Sequence, residues 1–283
     1  MKRLLVLALV AGASSAYADT SRSLYDLMYL PKAGTVYGIS TANLLKGRIM
    51  DRSGANAFKI DLDGYTFEQS AGYSLTDAFS LTAKIGYNTI HLDNGGSDTN
   101  GITDPNFQGR FRMIDTEFRL DILASATVSL GDSKEKGNGD TDAKNGGHDV
   151  SAGVQLGHKF ADWQWSTTAL LTHYFEATTD VSGSGKTKDD AHNGLSLLAD
   201  ALFRVDTAAN LKIMTGAILT ERYEDNQSGS TPSSNRYLVG WEYQYLVSND
   251  ILVRGGLTYS VIKANHIDQN DLFTFSAGAN YQF

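Results

Sequence analysis

The chain has 283 residues and a formal net charge of −8, from 32 acidic and 24 basic side chains. It has no cysteine, which excludes a disulfide framework and a thiolate metal site. Its acidity gives no support to a nucleic-acid partner.

Residues 1–18, MKRLLVLALVAGASSAYA, open with Lys2 and Arg3 and continue through an apolar run from Leu4 to Val10. They end on Ala16-Tyr17-Ala18. This is the layout of a secretory signal peptide with an A-x-A cleavage site, so the mature chain is expected to begin near Asp19. The apolar run is far shorter than the roughly 20 residues that a spanning helix needs. Residues 19–33 carry Leu24, Leu27, Met28 and Leu30 at helix-like spacing, and Pro31 ends any helix there. This stretch is expected to be either a small plug tucked into the lumen or a disordered periplasmic segment.

From residue 34 onward apolar residues recur with period two, the mark of strands with one apolar face. Phe79, Leu81, Ala83, Ile85 and Tyr87 share a face against Ser80, Thr82, Lys84, Gly86 and Asn88. Tyr237, Val239, Trp241, Tyr243 and Tyr245 oppose Gly240, Glu242 and Gln244. The pattern predicts twelve strands: 34–45, 57–75, 79–92, 106–114, 117–131, 148–160, 163–178, 193–205, 211–224, 235–247, 250–263 and 271–283. The second changes phase near Gly64, which reads as a bulge or kink.

The connections alternate in length. Short ones, such as Thr76-Asp77, Asp115-Thr116 and Asn249-Asp250, alternate with long polar ones at 46–56, 93–105, 132–147, 179–192, 225–234 and 264–270. Short turns on one side and long loops on the other are the layout of a transmembrane β-barrel. A sheet can cross hydrocarbon only by closing, because every backbone polar group must be paired internally. Soluble sandwiches use strands of about five or six residues, much shorter than these. The expected fold is therefore a single all-β antiparallel barrel over 34–283, with short periplasmic turns and long extracellular loops. Trp163 and Trp165 fall beside a short turn, and Tyr223, Tyr237 and Tyr259 nearer long loops, where aromatic girdles belong.

The last strand, FTFSAGANYQF, resembles the C-terminal signature of bacterial outer-membrane β-barrel proteins, carried here by Phe273, Phe275, Tyr281 and Phe283. That resemblance implies location in the outer membrane, contact with its lipid and lipopolysaccharide, and recognition by the barrel-insertion machinery. Residues 101–132, GITDPNFQGRFRMIDTEFRLDILASATVSLGD, resemble the outer-membrane transporter-like proteins linked to phenol-degradation operons. Similar twelve-strand families include nucleoside channels, acidic-sugar channels and an outer-membrane phospholipase.

The face opposite the apolar one should line the lumen. Its basic members are Lys84, Arg110, Arg112, Arg119, Lys159, Arg204, Lys212, Arg222 and Arg254, and its acids are Glu68, Asp121, Glu176, Asp200 and Glu242. Rings of Arg and Lys select anions, because guanidinium groups stay charged and bind carboxylate or phosphate. The expected activity is passive diffusion of small solutes with a preference for anions, led by Arg110, Arg112 and Arg119 beside Asp121. No cofactor and no covalent chemistry are expected. The competing readings are a lumen filled by Arg–acid pairs in a closed structural or surface-interaction barrel, and a lipid hydrolase.

Other motifs carry less. DVSGSGKT (180–187) lacks the first glycine of a phosphate-binding loop and the strand-to-helix setting that loop needs. HNGLS (192–196) has the residues of the outer-membrane phospholipase motif in the wrong order, leaving Ser196 without an assignable base. Asn138, Asp140 and Asp142 alternate as calcium ligands do, but the glycine and terminal glutamate of a full calcium loop are missing. The six histidines are scattered, and no metal site is assigned.

Overall fold

The computed structural model describes Leu24 and residues 26–51, 58–93, 98–134, 141–144, 146–181, 185–225, 229–231, 233–264 and 267–283. The signal-peptide reading over 1–18 lies outside the described residues, as do 19–23, Tyr25, Asn138 and Asp140. Twelve long strands form the wall: β1 Val36–Asp51, β2 Phe58–Thr76, β3 Phe79–Leu92, β4 Asn106–Asp115, β5 Phe118–Thr127 and β6 Asp149–Lys159. The others are β7 Trp163–Tyr174, β8 His192–Arg204, β9 Ala209–Thr220, β10 Ser234–Ser248, β11 Ile251–Ala264 and β12 Ile267–Gln282.

Each strand runs antiparallel to its chain neighbours, and β12 returns to β1 in a ladder from Tyr37↔Gln282 to Asp51↔Ile267. The Phe283 amide donates to the Val36 carbonyl at 2.8 Å, so the last residue of the chain is tied to the first strand. The wall is a closed barrel with no free edge, as the strand pattern predicts.

Large apolar side chains face outward. Leu44, Phe67, Leu171, Leu197, Ile213, Trp241 and Phe275 are all exposed on that surface. Small and polar side chains alternate with them on the inside, where Thr66, Ser70, Ser74, Ser80, Asn88, Gln155, Ser166 and Ser260 are buried. Trp163 stacks between Phe160, with ring centres 4.5 Å apart, and Phe203 at 6.4 Å, forming part of an aromatic girdle at the short-turn rim.

At the long-loop end the two faces exchange character. Above Leu44 the outward residues of β1 are Lys46 and Arg48, both exposed, while Leu45 and Ile49 turn inward and are buried. The same exchange occurs on β2, where Lys59 and Asp61 lie outside and Ile60 and Leu62 inside, and on β3, where His91 lies outside and Ile90 and Leu92 inside. These inward residues join Ile262 and Leu272 in one apolar cluster. The exchange line marks the outer edge of the bilayer, beyond which the outside of the barrel meets water. Eight residues separate Val36 from Leu44. At about 3.3 Å per residue and a tilt of about 40° they rise about 20 Å, close to the apolar band of such barrels.

This exchange corrects two expectations. The first strand extends to Asp51 rather than ending at 45, in unbroken register with β2. Gly64 is neither a bulge nor a kink in the pairing: both ladders of β2 pass through it without a shift. The hydrophobic phase changes there because the solvent outside the strand changes.

The loops also hold structure. Ala177–Val181 pairs with Gly185–Asp189, which meets Tyr223–Asp225 and then Gly229–Thr231, and Ser133–Lys134 runs beside the first of these. This five-stranded sheet joins three of the long loops. Lys186 pairs with Asp132 across it, and that bond raises the lysine pKa. The expected strands 117–131, 163–178 and 211–224 are correspondingly shorter in the wall, because their outer residues leave the barrel or join this sheet.

The membrane boundary predicts a depth-dependent response. Leu197→Arg, placed at mid-depth on the lipid face, should destabilise the barrel by ~2–4 kcal/mol in vesicle unfolding titrations. Lys46→Leu, above the boundary, should stay within about 0.5 kcal/mol.

Candidate functional site

The lumen gathers the polar side chains that the alternation turns inward, and the N-terminal segment enters it. Leu27, Met28, Tyr29, Leu30 and Pro31 are buried inside the barrel near the short-turn rim. The chain then leaves through a turn in which the Gly34 amide donates to the Ser74 carbonyl at 2.8 Å. Gly34 has φ of 83°, in the left-handed region that favours glycine.

A non-helical segment inside a barrel has main-chain carbonyls that need donors. Two arginines supply them. Arg110 Nη1 donates to the Tyr29 carbonyl at 3.0 Å, and Arg112 Nη2 donates to the Met28 carbonyl. The same guanidinium groups close on Asp121, with Arg110 Nε at 2.6 Å and Arg112 Nε at 2.8 Å. Asp121 is fully buried, and Arg112 also reaches Asp115 at 3.2 Å. One carboxylate between two guanidinium groups leaves an excess of donors, and the segment's carbonyls take them up.

Asp26 makes a second anchor. Its carboxylate accepts from Lys159 Nζ at 2.6 Å and Gln164 Nε2 at 2.8 Å, and lies 3.5 Å from Arg119. The Leu27 amide donates to Gln164 Oε1 at 3.0 Å. Tyr29 hydrogen-bonds to Gln282 across the lumen. Met28 lies over Gly157, where a Cβ would clash with its sulfur. The glycine leaves room for the segment.

On the far wall the charges alternate from strand to strand. Asp200 on β8 lies 3.5 Å from Lys212 on β9, and Lys212 sits directly opposite Glu242 on β10 in the ladder. Glu242 meets Arg254 on β11 at 3.3 Å, and Arg254 donates to Thr41 on β1 at 2.7 Å. Lys84 and Glu68 lie 3.5 Å apart on β3 and β2. A small pocket is lined by this wall and by Leu24, Asp26 and Leu27, and beside it Leu24 clusters with Leu252 and Leu27 with Leu202.

Of the residues expected to line the lumen, Lys84, Arg110, Arg112, Arg119, Asp121, Lys159, Asp200, Lys212, Glu242 and Arg254 face inward, each in an ion pair. Arg204 is the exposed last residue of β8, at a short turn. Arg222 is exposed beyond the end of β9, and Glu176 is exposed where it pairs with Lys188. Sequence reasoning missed the buried charges Arg236 and Asp26, among others. Arg236 donates to Ser260 Oγ at 3.2 Å, and its inward direction follows from the alternation of Tyr237 and Val239. Asp26, the one acid in SLYDLMYL, gives no sequence sign of its distant partners.

Phe273 and Phe275 of the C-terminal signature face outward, and Tyr281 packs edge-on against Phe283. Ser196 lies four residues from His192 along β8, about 13 Å at strand rise, and His192 Nδ1 faces the Asp190 carbonyl at 3.1 Å. The arrangement does not form a Ser–His pair. Gly185–Asp189 lies in a ribbon rather than at the start of a helix. Asp142 accepts from Ser133 Oγ at 3.0 Å and the Lys134 amide at 3.1 Å. Among the described residues no group of His, Cys, Asp and Glu side chains is placed to hold a metal ion.

The barrel is similar to the COG4313 outer membrane channel from Pseudomonas putida F1, with a TM-score of 0.68 and 14% identity over 90% of this chain and 97% of that one. It is also similar to the translocator domain of the autotransporter NalP from Neisseria meningitidis, with a TM-score of 0.55 and 12% identity over 99% of this chain and 95% of that one. No family model matches the chain, and no curated protein matches it. At these identities the likeness is one of fold, and the fold is that of a bacterial outer-membrane β-barrel.

The Asp121 cluster predicts a large effect from a small change. Asp121→Asn leaves two buried guanidinium groups without their shared anion and should cost about 3–5 kcal/mol in unfolding titrations.

Proposed function

We propose that this barrel is a passive channel for small solutes across the outer membrane, with the N-terminal segment as its constriction. The observation that carries the reading is the donation of Arg110 and Arg112 to the segment's main-chain carbonyls within a twelve-strand lumen. Barrels of about eight strands are filled by side chains, and those of 16–18 strands leave an aqueous channel. Twelve strands lie between, so a narrow path past a bound segment is the arrangement that fits. The fold shared with the COG4313 outer membrane channel supports the same reading.

The sequence expectation of an anion-favouring lumen rests on its inward Arg and Lys residues, with Arg110, Arg112 and Arg119 first. With each engaged by a carboxylate, and two also by the segment's carbonyls, we assign these arginines to holding the segment. The mature chain is expected to need no cofactor. The ordered sheet in the long loops favours surface interaction as the second reading.

Planar-bilayer recording of the refolded mature protein tests the proposal. The intact protein should show small, steady conductance, and deletion of residues 24–31 should raise it several-fold. Equal conductance with and without the segment would contradict its role as the constriction.

A further inference from the structure

Neighbouring wall strands are joined in chain order by turns and loops, except where β12 meets β1. That pair is held by its ladder, with no connection of its own. Any other pair stays tethered when its ladder breaks, and a short tether keeps the partners at high effective concentration. An opened β12–β1 seam has no such tether to bring it back.

Three side chains lie across this seam and the strands beside it, each placed in the same way. On the inner face Arg254 of β11 runs over Gly278 of β12 and donates from Nη2 to Thr41 Oγ1 of β1 at 2.7 Å. On the outer face the Tyr281 ring of β12 lies over Gly38 of β1, and its hydroxyl accepts from Gln69 Nε2 of β2. On the inner face again the Tyr37 ring of β1 lies over Gly72 of β2, and its hydroxyl is 2.7 Å from Thr82 Oγ1 of β3. A side chain at Gly38 or Gly72 would clash with the ring above it. In each case a long side chain crosses the middle strand at a glycine and bonds to the strand beyond. The three overlap across five consecutive strands, from β11 to β3.

The outer one stands in lipid. Ser40 and Gln69 face outward as ladder partners, halfway up the apolar band between Val36 and Leu44. Polar side chains at that depth are costly unless paired. Ser40 Oγ donates to Gln69 Oε1 at 2.6 Å, and Gln69 in turn donates to Tyr281. Apolar residues would serve packing alone at these positions, so the amide and hydroxyl point to a bond made across the strand between them.

We infer that these side chains are a lock on the closing seam, set after β12 has paired with β1. Tyr281 reaches Gln69 only when β12, β1 and β2 already lie side by side. The bond therefore adds nothing to an open barrel and holds a closed one shut. Tyr281, carried in the C-terminal signature, thus has a task in the finished wall. Interactions absent from the folding transition state slow unfolding and leave the folding rate unchanged.

The test is the unfolding rate of the refolded full mature protein in phospholipid vesicles, in guanidinium chloride, followed by tryptophan fluorescence. Tyr281→Phe keeps the ring and removes the hydroxyl. It should unfold several-fold faster than the wild type and refold at the same rate. Tyr259→Phe is the comparison, because Tyr259 donates to Asp271 on the adjacent strand at 2.6 Å and crosses no middle strand. It should leave both rates unchanged. Ala42 and Ala277 are partners across the seam and both are exposed on the lipid side. With Ala42→Cys joined by a disulfide to Ala277→Cys, Tyr281→Phe should no longer alter the unfolding rate. An effect of Tyr281→Phe that survives the seam disulfide, or that Tyr259→Phe matches, would overturn the inference, as would no effect in the unlinked protein. If Tyr281→Phe fails to fold, Thr41→Val, which removes the acceptor of Arg254, carries the same comparison on the inner face.

Discussion

A bilayer offers no hydrogen-bond partner to a peptide group, and that constraint shapes the molecule. Twelve strands pair round to the first and leave no edge, so every wall strand has a neighbour on each side. The same solvent dictates the side chains. Within the apolar band the outside is apolar and the inside polar. Above the band the order reverses on β1, β2 and β3, where Lys46, Asp61 and His91 lie outside and Ile49, Ile60 and Ile90 inside. One rule, applied in two solvents, accounts for both halves of the wall.

Closure creates a second problem. A barrel of this width encloses more space than its side chains fill, and its inward residues include charged groups that cannot be left without partners. Buried charges persist only when paired, because the desolvation cost is several kcal/mol per ion. Among the described residues the lumen answers with ion pairs on both walls. On one wall Asp121 draws in Arg110 and Arg112, and the surplus donors bind the Met28 and Tyr29 carbonyls. On the other wall acids and bases alternate across four strands. The segment is thus hydrogen-bonded to one wall and packs its leucines beside Leu202 and Leu252 of the other.

Much of this was legible from sequence, because period-two alternation reports directly on a wall with lipid on one side. All twelve strands, the closure and the inward direction of Arg110, Arg112, Asp121, Lys212 and Arg254 follow from it. What the alternation does not report is partnership. Asp26 finds Lys159 and Gln164 from more than a hundred positions away. Arg110 and Arg112 look like a selective ring until the segment that occupies them is seen. The outer ends of β1 and β12 were read as loop because their polarity inverts above the membrane, where a search tuned to a lipid-facing side loses the signal. The five-stranded loop sheet escaped because its strands have five residues or fewer.

The central claim is that the N-terminal segment sits inside the barrel against β6 and narrows the path. The natural absence of cysteine allows a direct test by pairing Leu27→Cys with Leu202→Cys, which share one buried apolar cluster. Mild oxidation should link the two positions in the folded protein in vesicles, with each single variant staying unlinked, and reduction should reverse the link. Failure to link in a barrel that is otherwise folded would place the segment elsewhere and contradict the account.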